Sequence, residues 1–157
     1  QKVSVSSCRL TDLVEEAVSL AVPFAPSNLS ISAHLEGDDF IRIDRNRVLR
    51  MVFNLVRNAA TAIADSEGRI RLDIDANDHV LNIHISDTGP GIPEHVLDRL
   101  FPTMMEVRKY SGRVGLGLPT TAQAAAALGG QLILRQTSKN GTHFQLQLPY
   151  QHVRRVS

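Results

Sequence analysis

Apolar residues recur along this chain with two different spacings, and the order in which these alternate limits the folds that the chain can adopt. The longest stretch with helical spacing runs from residue 45 to about 64, and Asp44 precedes it as a candidate N-cap. Shorter stretches at 10–21 and from about 119 to 128 share this spacing. Alternating apolar and polar residues, typical of strands, occupy positions 29–35, 40–43, 70–74, 80–86, 132–135 and 143–148.

These segments predict an α/β (α+β) two-layer sandwich, in which about three helices cover one face of a mixed, largely antiparallel sheet of about five strands. Turn residues at 77–78 and at 140–141 predict two hairpins. Gly37 predicts a further turn, with the strands at 29–35 and 40–43 on either side of it.

Length and charge limit the size and the partners of the molecule. With 157 residues, of which 43% are hydrophobic, the chain can bury one core, and we expect a single domain at 1–150 followed by a polar tail at 151–157, frayed after Pro149. Lys and Arg number 17 against 16 Asp and Glu, so the net charge of +1 gives no general reason to expect nucleic acid or a membrane as partner.

The first residue, the cysteine content and the hydropathy bear on where the protein works. The chain begins with Gln1 rather than Met, and we interpret it as a piece of a longer protein. Cys8 has no second cysteine with which to form a disulfide, a zinc site or a redox pair, which fits a reducing cytosol. No apolar run approaches the ~20 residues that span a bilayer. We expect a cytoplasmic fragment, whose parent could still be anchored in the inner membrane.

Two asparagines lie four residues apart in the longest helical stretch. This spacing places Asn54 and Asn58 on one helix face, where their amides can converge on one ligand. An isolated pair would ordinarily be solvated or bonded to the backbone. The apolar neighbours Leu55, Val56 and Ala59 argue against that, because a buried amide without partners is costly. An amide oxygen can bind a hard cation such as Mg²⁺, which takes its other ligands from water and nucleotide phosphates.

An acidic residue follows the strand pattern at 80–86. Counting by two from Ile83 and Ile85 places Asp87 on the same apolar face, where a carboxylate needs hydrogen-bond donors. Aspartate in front of glycine also commonly caps a turn, and by itself neither role is favoured. Gly89 and Gly91 favour a ligand, because glycine lets the backbone approach one closely. The exocyclic amine of a purine would suit this carboxylate.

A glycine-rich stretch at 111–118 leads directly into the helical pattern that begins at Pro119. Free backbone amides and the positive end of a helix dipole suit a polyphosphate. A glycine cluster is a weak signal by itself, since hinges and tight turns use the same residues. The stretch is neither a Walker A loop nor a dinucleotide-binding fingerprint.

In their order along the chain, these motifs resemble those of the catalytic domain of sensor histidine kinases, a member of the Bergerat-fold ATPases. Residues 54–62 (NLVRNAATA) resemble the N box, and their sequence is similar to that of the N box in nitrogen-regulation-type sensor kinases. Residues 87–93 (DTGPGIP) resemble the G1 box, Leu100 with Phe101 the F box, and 112–118 (GRVGLGL) the G2 box. GTHF at 141–144 is similar to the closing strand of the family.

The resemblance implies ATP and Mg²⁺ as cofactors and assigns roles to individual residues. Asn58 would bind Mg²⁺, with Asn54 as the second catalytic residue, and Asp87 would hold the adenine amine. Thr142 would support the adenine beside Asp87 through water. The other implied nucleotide contacts are Gly89, Gly91 and Ile92 at the base, and Lys109, Gly115, Leu116, Gly117 and Leu118 at the phosphates.

Some positions depart from the family pattern. Related ATPases usually carry a water-activating glutamate at the position of Asn54, and an amide there favours transfer over hydrolysis. The family's G2 box forms a lid over the phosphates and usually reads GGTGLGL. In this chain Arg113 and Val114 replace a glycine and a hydroxyl residue of that sequence. Lys109, together with Arg108 and Arg113, could reach the γ-phosphate or could be an ordinary solvated lid charge.

The resemblance implies a protein-histidine kinase whose phosphoacceptor lies elsewhere. The family's acceptor histidine is followed closely by an acidic and a basic residue on a helical hairpin, and none of the 6 histidines has that setting. The implied partners are the protein's own dimerisation and phosphoacceptor domain, in a homodimeric parent, and the receiver domain of a response regulator. The alternative is a degenerate ATP-binding or pseudokinase module without phosphotransfer activity.

Overall fold

The computed structural model describes residues 2–25, 28–63, 67–95, 97 and 118–153. Within these ranges the strands are β1 (Ser6–Arg9), β2 (Leu29–Gly37), β3 (Phe40–Ile43), β4 (Gly68–Asn77), β5 (Val80–Asp87), β6 (Gln131–Ser138), β7 (Gly141–Pro149) and β8 (Gln151–His152). The helices are α1 (Leu10–Ala21), α2 (Arg45–Ile63) and α3 (Leu118–Ala127), with a 3-10 turn at Val22–Phe24 after α1.

Five strands form the main sheet in the order β2-β4-β5-β7-β6. β2 is parallel to β4 and all other neighbours are antiparallel, so the sheet is mixed and largely antiparallel, as predicted. Both predicted hairpins, β4–β5 and β6–β7, are confirmed. In the first, Asp78 and His79 have φ values of 53° and 66°, the left-handed conformation that a two-residue hairpin turn requires.

The helices lie on one face of this sheet, which confirms the predicted two-layer sandwich. α2 packs against α1, α3, β4 and β5. Its apolar stripe is buried, and Val52 and Val56 have no exposed surface. Burying side chains of this size contributes about 1.5–3 kcal/mol each. The described helices include none that is long and apolar enough to cross a bilayer.

Asp44 caps α2, as predicted. Its Oδ1 accepts a hydrogen bond from the Arg47 N–H at 3.2 Å, and the Val48 N–H donates to the Asp44 carbonyl at 3.0 Å. The other carboxylate oxygen accepts the Ser4 N–H at 2.9 Å and lies 3.1 Å from Arg47 Nε. These donors compensate for the burial of the carboxylate and fix the start of the longest helix.

A second sheet, in the order β1-β3-β8, was not predicted from the sequence. β2 and β3 are both strands, but they belong to different sheets and do not pair across the turn at Gly37. Gly37 has φ 86° and lies so close to β4 that a Cβ would collide with the Ala76 carbonyl. The Asp38 N–H also donates to that carbonyl at 2.9 Å. The turn is therefore bonded to β4 and directs the chain away from β2.

The prediction that the tail frays directly after Pro149 is wrong for its first residues. Tyr150 is 5% exposed, and its hydroxyl donates a hydrogen bond to Asp38 Oδ2 at 2.9 Å. Gln151 and His152 then pair with β3. The ring of Tyr150 has apolar surface to bury, and this holds the segment against the domain.

Candidate functional site

Asp87 ends β5 on the face that the helices cover, as the period of two predicted. The buried residues of this strand are Leu81, Ile83 and Ile85. Asp87 continues their row and is half-buried. It pairs with Ile70 of β4 on one side and with Thr142 of β7 on the other. The carboxylate is therefore presented from the middle of the sheet, at the edge of the core.

Burial and hydrogen bonding act on the Asp87 carboxyl group in opposite directions. Burial raises its pKa, the backbone amides of Gly89 and Thr142 lower it, and the balance leaves the pKa above its ordinary value. The Gly89 N–H donates to Oδ1 at 2.8 Å. The side chain therefore caps the following turn, and it is also an incompletely solvated acceptor that a donor on a ligand would stabilise.

Close contacts within the protein fix the loop after Asp87. Gly91 has φ 84°, and a Cβ there would collide with the Ser138 carbonyl. A Cβ at Gly89 would lie 3.0 Å from Asp87 Oδ1 and 3.5 Å from Ala62. The loop is thus held between the end of α2 and the β6–β7 hairpin. These contacts explain both glycines, and their backbone contacts with a ligand stay a prediction.

Thr137, which the sequence analysis did not single out, connects this loop to Thr142. The Ile92 N–H donates to Thr137 Oγ1 at 2.9 Å, and that oxygen lies 2.9 Å from Thr142 Oγ1. Thr142 is 8% exposed. The two turn residues of the β6–β7 hairpin are 139 and 140, so residues 137 and 142 are cross-strand neighbours. The turn that the sequence predicted at 140–141 lies one residue further along and would have placed residue 139 opposite residue 142, so it could not have found Thr137. Asp87, Ile92 and Thr142 of the predicted set are thus brought together.

The predicted asparagine pair, Asn54 and Asn58, is half-buried on α2. Within the described part of the chain, neither side-chain amide forms a hydrogen bond. Half-buried amides of this kind are open to a ligand or to water. The described residues include no cluster of three or more His, Cys, Asp or Glu side chains suited to a metal. A cation at Asn58 would therefore depend on water and on another bound molecule for most of its coordinating atoms.

α2 links the asparagines to the loop after Asp87. Asn54, Asn58 and Ala62 follow at intervals of four, so they share one face at steps of ~6 Å along the axis. The Gly89 backbone packs against Ala62. The site therefore has a direction, with the carboxylate at one end and the asparagines at successive turns beyond it. Such an order suits an elongated ligand with a donor at one end and anionic groups at the other.

The remaining predicted contacts fall mostly outside the described residues. Lys109, Gly115, Leu116 and Gly117 lie there, as do the F-box residues Leu100 and Phe101. Leu118 is the first residue of α3, and its side chain is 2% exposed within the core. A nucleotide contact by Leu118 would therefore come from its backbone amide at the start of the helix.

Comparison with known proteins shows the family of the chain. A model of the histidine kinase-, DNA gyrase B-, and HSP90-like ATPases matches residues 43–152. The chain belongs to this ATPase family. The matched range contains the asparagines of α2, Asp87 and Thr142. The family that the sequence motifs predicted is thereby confirmed.

Sensor histidine kinases are prominent among the similar proteins. The alginate biosynthesis sensor protein KinB of Pseudomonas aeruginosa is 30% identical over 152 residues, which cover 95% of this chain and 25% of KinB. The chain thus spans about a quarter of this relative. The catalytic domain of histidine kinase ThkA has a TM-score of 0.74 at 22% identity, covering 93% of this chain and 95% of that domain.

Two further structures of this fold contain ligands or partners of their own. Full-length ShkA in complex with AMPPNP has a TM-score of 0.79 at 22% identity, covering 99% of this chain and 33% of ShkA. ThkA in complex with the response regulator protein TrrA has a TM-score of 0.71 at 20% identity, covering 92% of this chain and 41% of that one. These likenesses confirm the predicted fold.

Proposed function

We propose that this chain is the ATP-binding catalytic domain of a two-component sensor histidine kinase. It delivers the γ-phosphate of ATP to a histidine on a separate dimerisation domain, for relay to a response regulator. The observation that carries the proposal is the half-buried Asp87 carboxylate at the end of β5, next to a loop that packs against Ala62 on the α2 face that carries Asn58 and Asn54. Membership of the ATPase family supports the same chemistry.

Asp87 favours adenine over guanine as the base. An ionised carboxylate can only accept hydrogen bonds, so it pairs with the exocyclic amine of adenine. Guanine has a carbonyl oxygen at that position, which would leave two acceptors facing each other. Burial disfavours the ionised form of Asp87 in the free protein, and an amine donor would offset that cost.

The asparagines suit the phosphate end of the ligand. The Asn58 amide oxygen is a hard donor, it is half-buried, and within the described chain it has no other partner, so it fits Mg²⁺. Once bound with ATP, the ion would neutralise charge on the phosphoryl group being transferred. Asn54 lies one turn further along and orients polar groups there. As an amide it cannot act as a general base toward water, which favours transfer over hydrolysis.

The acceptor histidine is assigned to another domain of the parent. Four histidines of this chain lie on strands, namely His34, His84, His143 and His152. A strand does not provide the helical hairpin on which the family's acceptor stands. ThkA has been solved together with the response regulator TrrA, which supports a receiver domain as the downstream partner here. We place the domain in the cytosol, where ATP is available, within a homodimeric parent.

Calorimetric titration of the chain with ATP, ADP and GTP tests the base assignment. Asp87→Asn should weaken ADP binding at least tenfold, since a charge-assisted hydrogen bond worth ~1.5–3 kcal/mol is lost. The matched control is Asp78→Asn, which changes an exposed aspartate in the β4–β5 turn. ADP affinity that is equal in the unmodified chain and in Asp87→Asn would remove Asp87 from the site.

The role of Asn58 is tested by phosphoryl transfer in trans onto a purified histidine-bearing helical domain. Asn58→Ala should slow transfer about 100-fold, equivalent to ~2.7 kcal/mol in the barrier, because a ligand of Mg²⁺ is lost. Its affinity for ADP without Mg²⁺ should change less than about twofold, since the Asp87 pocket is intact. Asn46→Ala, at an exposed position of the same helix, is the control. Unmodified chain that binds ATP but shows no transfer would favour the degenerate regulatory module.

A further inference from the structure

Thr137 lies at the centre of the hydrogen bonds that join Ile92 to Thr142, two residues of the candidate base site that also contains Asp87. It lies on β6 directly opposite Thr142 on β7, and it is half-buried. Its Oγ1 is 2.9 Å from the Ile92 nitrogen and 2.9 Å from Thr142 Oγ1. One hydroxyl group therefore joins the loop after Asp87 to the strand that carries Thr142.

The direction of the hydroxyl protons follows from the available donors and acceptors. The Ile92 N–H can only donate, so Thr137 Oγ1 accepts that bond. Each threonine hydroxyl has one proton, so one oxygen of the Thr137–Thr142 pair donates and the other accepts. An oxygen that already accepts a hydrogen bond is polarised into a better donor. Donation from Thr137 to Thr142 is therefore favoured, and it leaves the Thr142 proton available for a ligand.

We propose that Thr137 is a positioning residue for nucleotide specificity, which accepts the Ile92 N–H, donates to Thr142 and so makes the Thr142 hydroxyl a donor beside the Asp87 acceptor. Asp87 and Thr142 are register partners in the β5–β7 pair. An acceptor next to a donor matches adenine, whose amine donates while its neighbouring ring nitrogen accepts, directly or through a water. Guanine has the reverse pattern. The inference rests on the proposed function, since it takes adenine as the base.

The test combines Thr137 variants with the change of a single atom in the nucleotide. Thr137→Val keeps the shape of the side chain without the hydroxyl, and Thr137→Ser keeps the hydroxyl. ADP and 1-deaza-ADP, in which the ring nitrogen is replaced by C–H, are titrated into the full 157-residue chain. The unmodified chain and Thr137→Ser should bind ADP about tenfold more tightly than 1-deaza-ADP, a difference equal to the contribution of one hydrogen bond. Thr137→Val should bind ADP about tenfold more weakly than the unmodified chain does. Its affinities for ADP and 1-deaza-ADP should differ by less than about twofold.

A measurement on the nucleotide-free chain supplies an independent readout. Hydrogen exchange at the Ile92 amide should be about tenfold faster in Thr137→Val than in Thr137→Ser, because the acceptor of that amide is removed. Thermal melting verifies that both variants fold. A Thr137→Val chain that loses affinity for ADP and 1-deaza-ADP equally overturns the inference and leaves Thr137 a structural role. Unmodified chain that binds no ADP overturns the proposed function, and the inference with it.

Discussion

The role proposed for Asp87 and its environment in the structure impose opposing requirements. In the proposed role Asp87 accepts a hydrogen bond from a ligand, yet it is half-buried, and burial outweighs the amides of Gly89 and Thr142 in setting its pKa. A carboxyl group whose pKa is raised in the folded state favours folding when it is protonated. That contribution is lost as the pH rises through the raised pKa. At neutral pH Asp87 therefore costs the nucleotide-free chain stability.

Asp87→Asn should consequently stabilise the nucleotide-free chain, relative to the unmodified chain, as the pH rises. The free energy of unfolding of Asp87→Asn minus that of the unmodified chain should be smallest below the ordinary carboxyl pKa of ~3.9. This difference should grow until the pH has passed the raised pKa of Asp87. Urea unfolding over a pH series measures it. Asp78→Asn, at an exposed position, is again the control. A difference that is independent of pH, or that grows toward acid, would contradict the environment assigned to Asp87.

At the scale of elements, the loop after β5 and the β6–β7 hairpin form one packed unit. A Cβ at Gly91 would collide with the Ser138 carbonyl, and a Cβ at Gly141 would collide with the Asp87 carbonyl. Together with the bond from the Ile92 N–H to Thr137 Oγ1, these contacts hold the loop against the hairpin from two sides. The shape of the proposed base site therefore depends on the packing of this loop against the β6–β7 hairpin, and not on the loop alone.

Gly91→Ala and Gly129→Ala separate this packing from backbone strain. Both glycines have similar φ values, 84° and 82°, but a Cβ at Gly129 meets only Pro149 at 3.5 Å, an ordinary contact. Gly129→Ala should cost about 1–2 kcal/mol, the strain of a left-handed alanine. Gly91→Ala should cost at least ~1 kcal/mol more and should weaken ADP binding, since the loop has to move away from Ser138. Urea unfolding and calorimetry measure the two effects. Equal losses of stability would show that the loop adapts freely.

At the scale of the whole molecule, the small sheet connects the two ends of the described chain. β1 near the start and β8 near the end both pair with β3, which leads directly into Asp44 and α2. The hydrogen bond from Tyr150 to Asp38 also holds the end of the described chain against the domain. The position of α2, and with it the asparagine pair, therefore depends on segments at both ends of the sequence.

A truncation series tests where the domain ends. A chain that stops at Pro149 lacks Tyr150 and β8, and it should be destabilised by about 3–5 kcal/mol, the usual cost of removing a large buried aromatic side chain. A chain that stops at Val153 keeps Tyr150 and β8 and is the matched control. Thermal and urea unfolding measure both. Equal stability of the two truncated chains would show that Tyr150 and β8 do not stabilise the domain.

Local patterns in the sequence predicted the three helices, six of the eight described strands and the face on which the site candidates lie. The period of two placed Asp87 on the core side of β5, and the period of 3.6 placed Asn54 and Asn58 together on α2. Turn chemistry predicted the β4–β5 and β6–β7 hairpins. These features depend on residues a few positions apart, so they can be read without knowing the rest of the fold.

Only the tertiary structure decided which distant segments meet. Alternation shows that β2 and β3 are strands, but it does not show that β2 runs parallel to β4 while β3 joins β1 and β8, because strand pairing depends on contacts far apart in sequence. The same holds for the Ile92 bond to Thr137 and for the fit of Gly91 against Ser138. The sequence thus predicted the chemical groups of the candidate site, and long-range packing set their geometry.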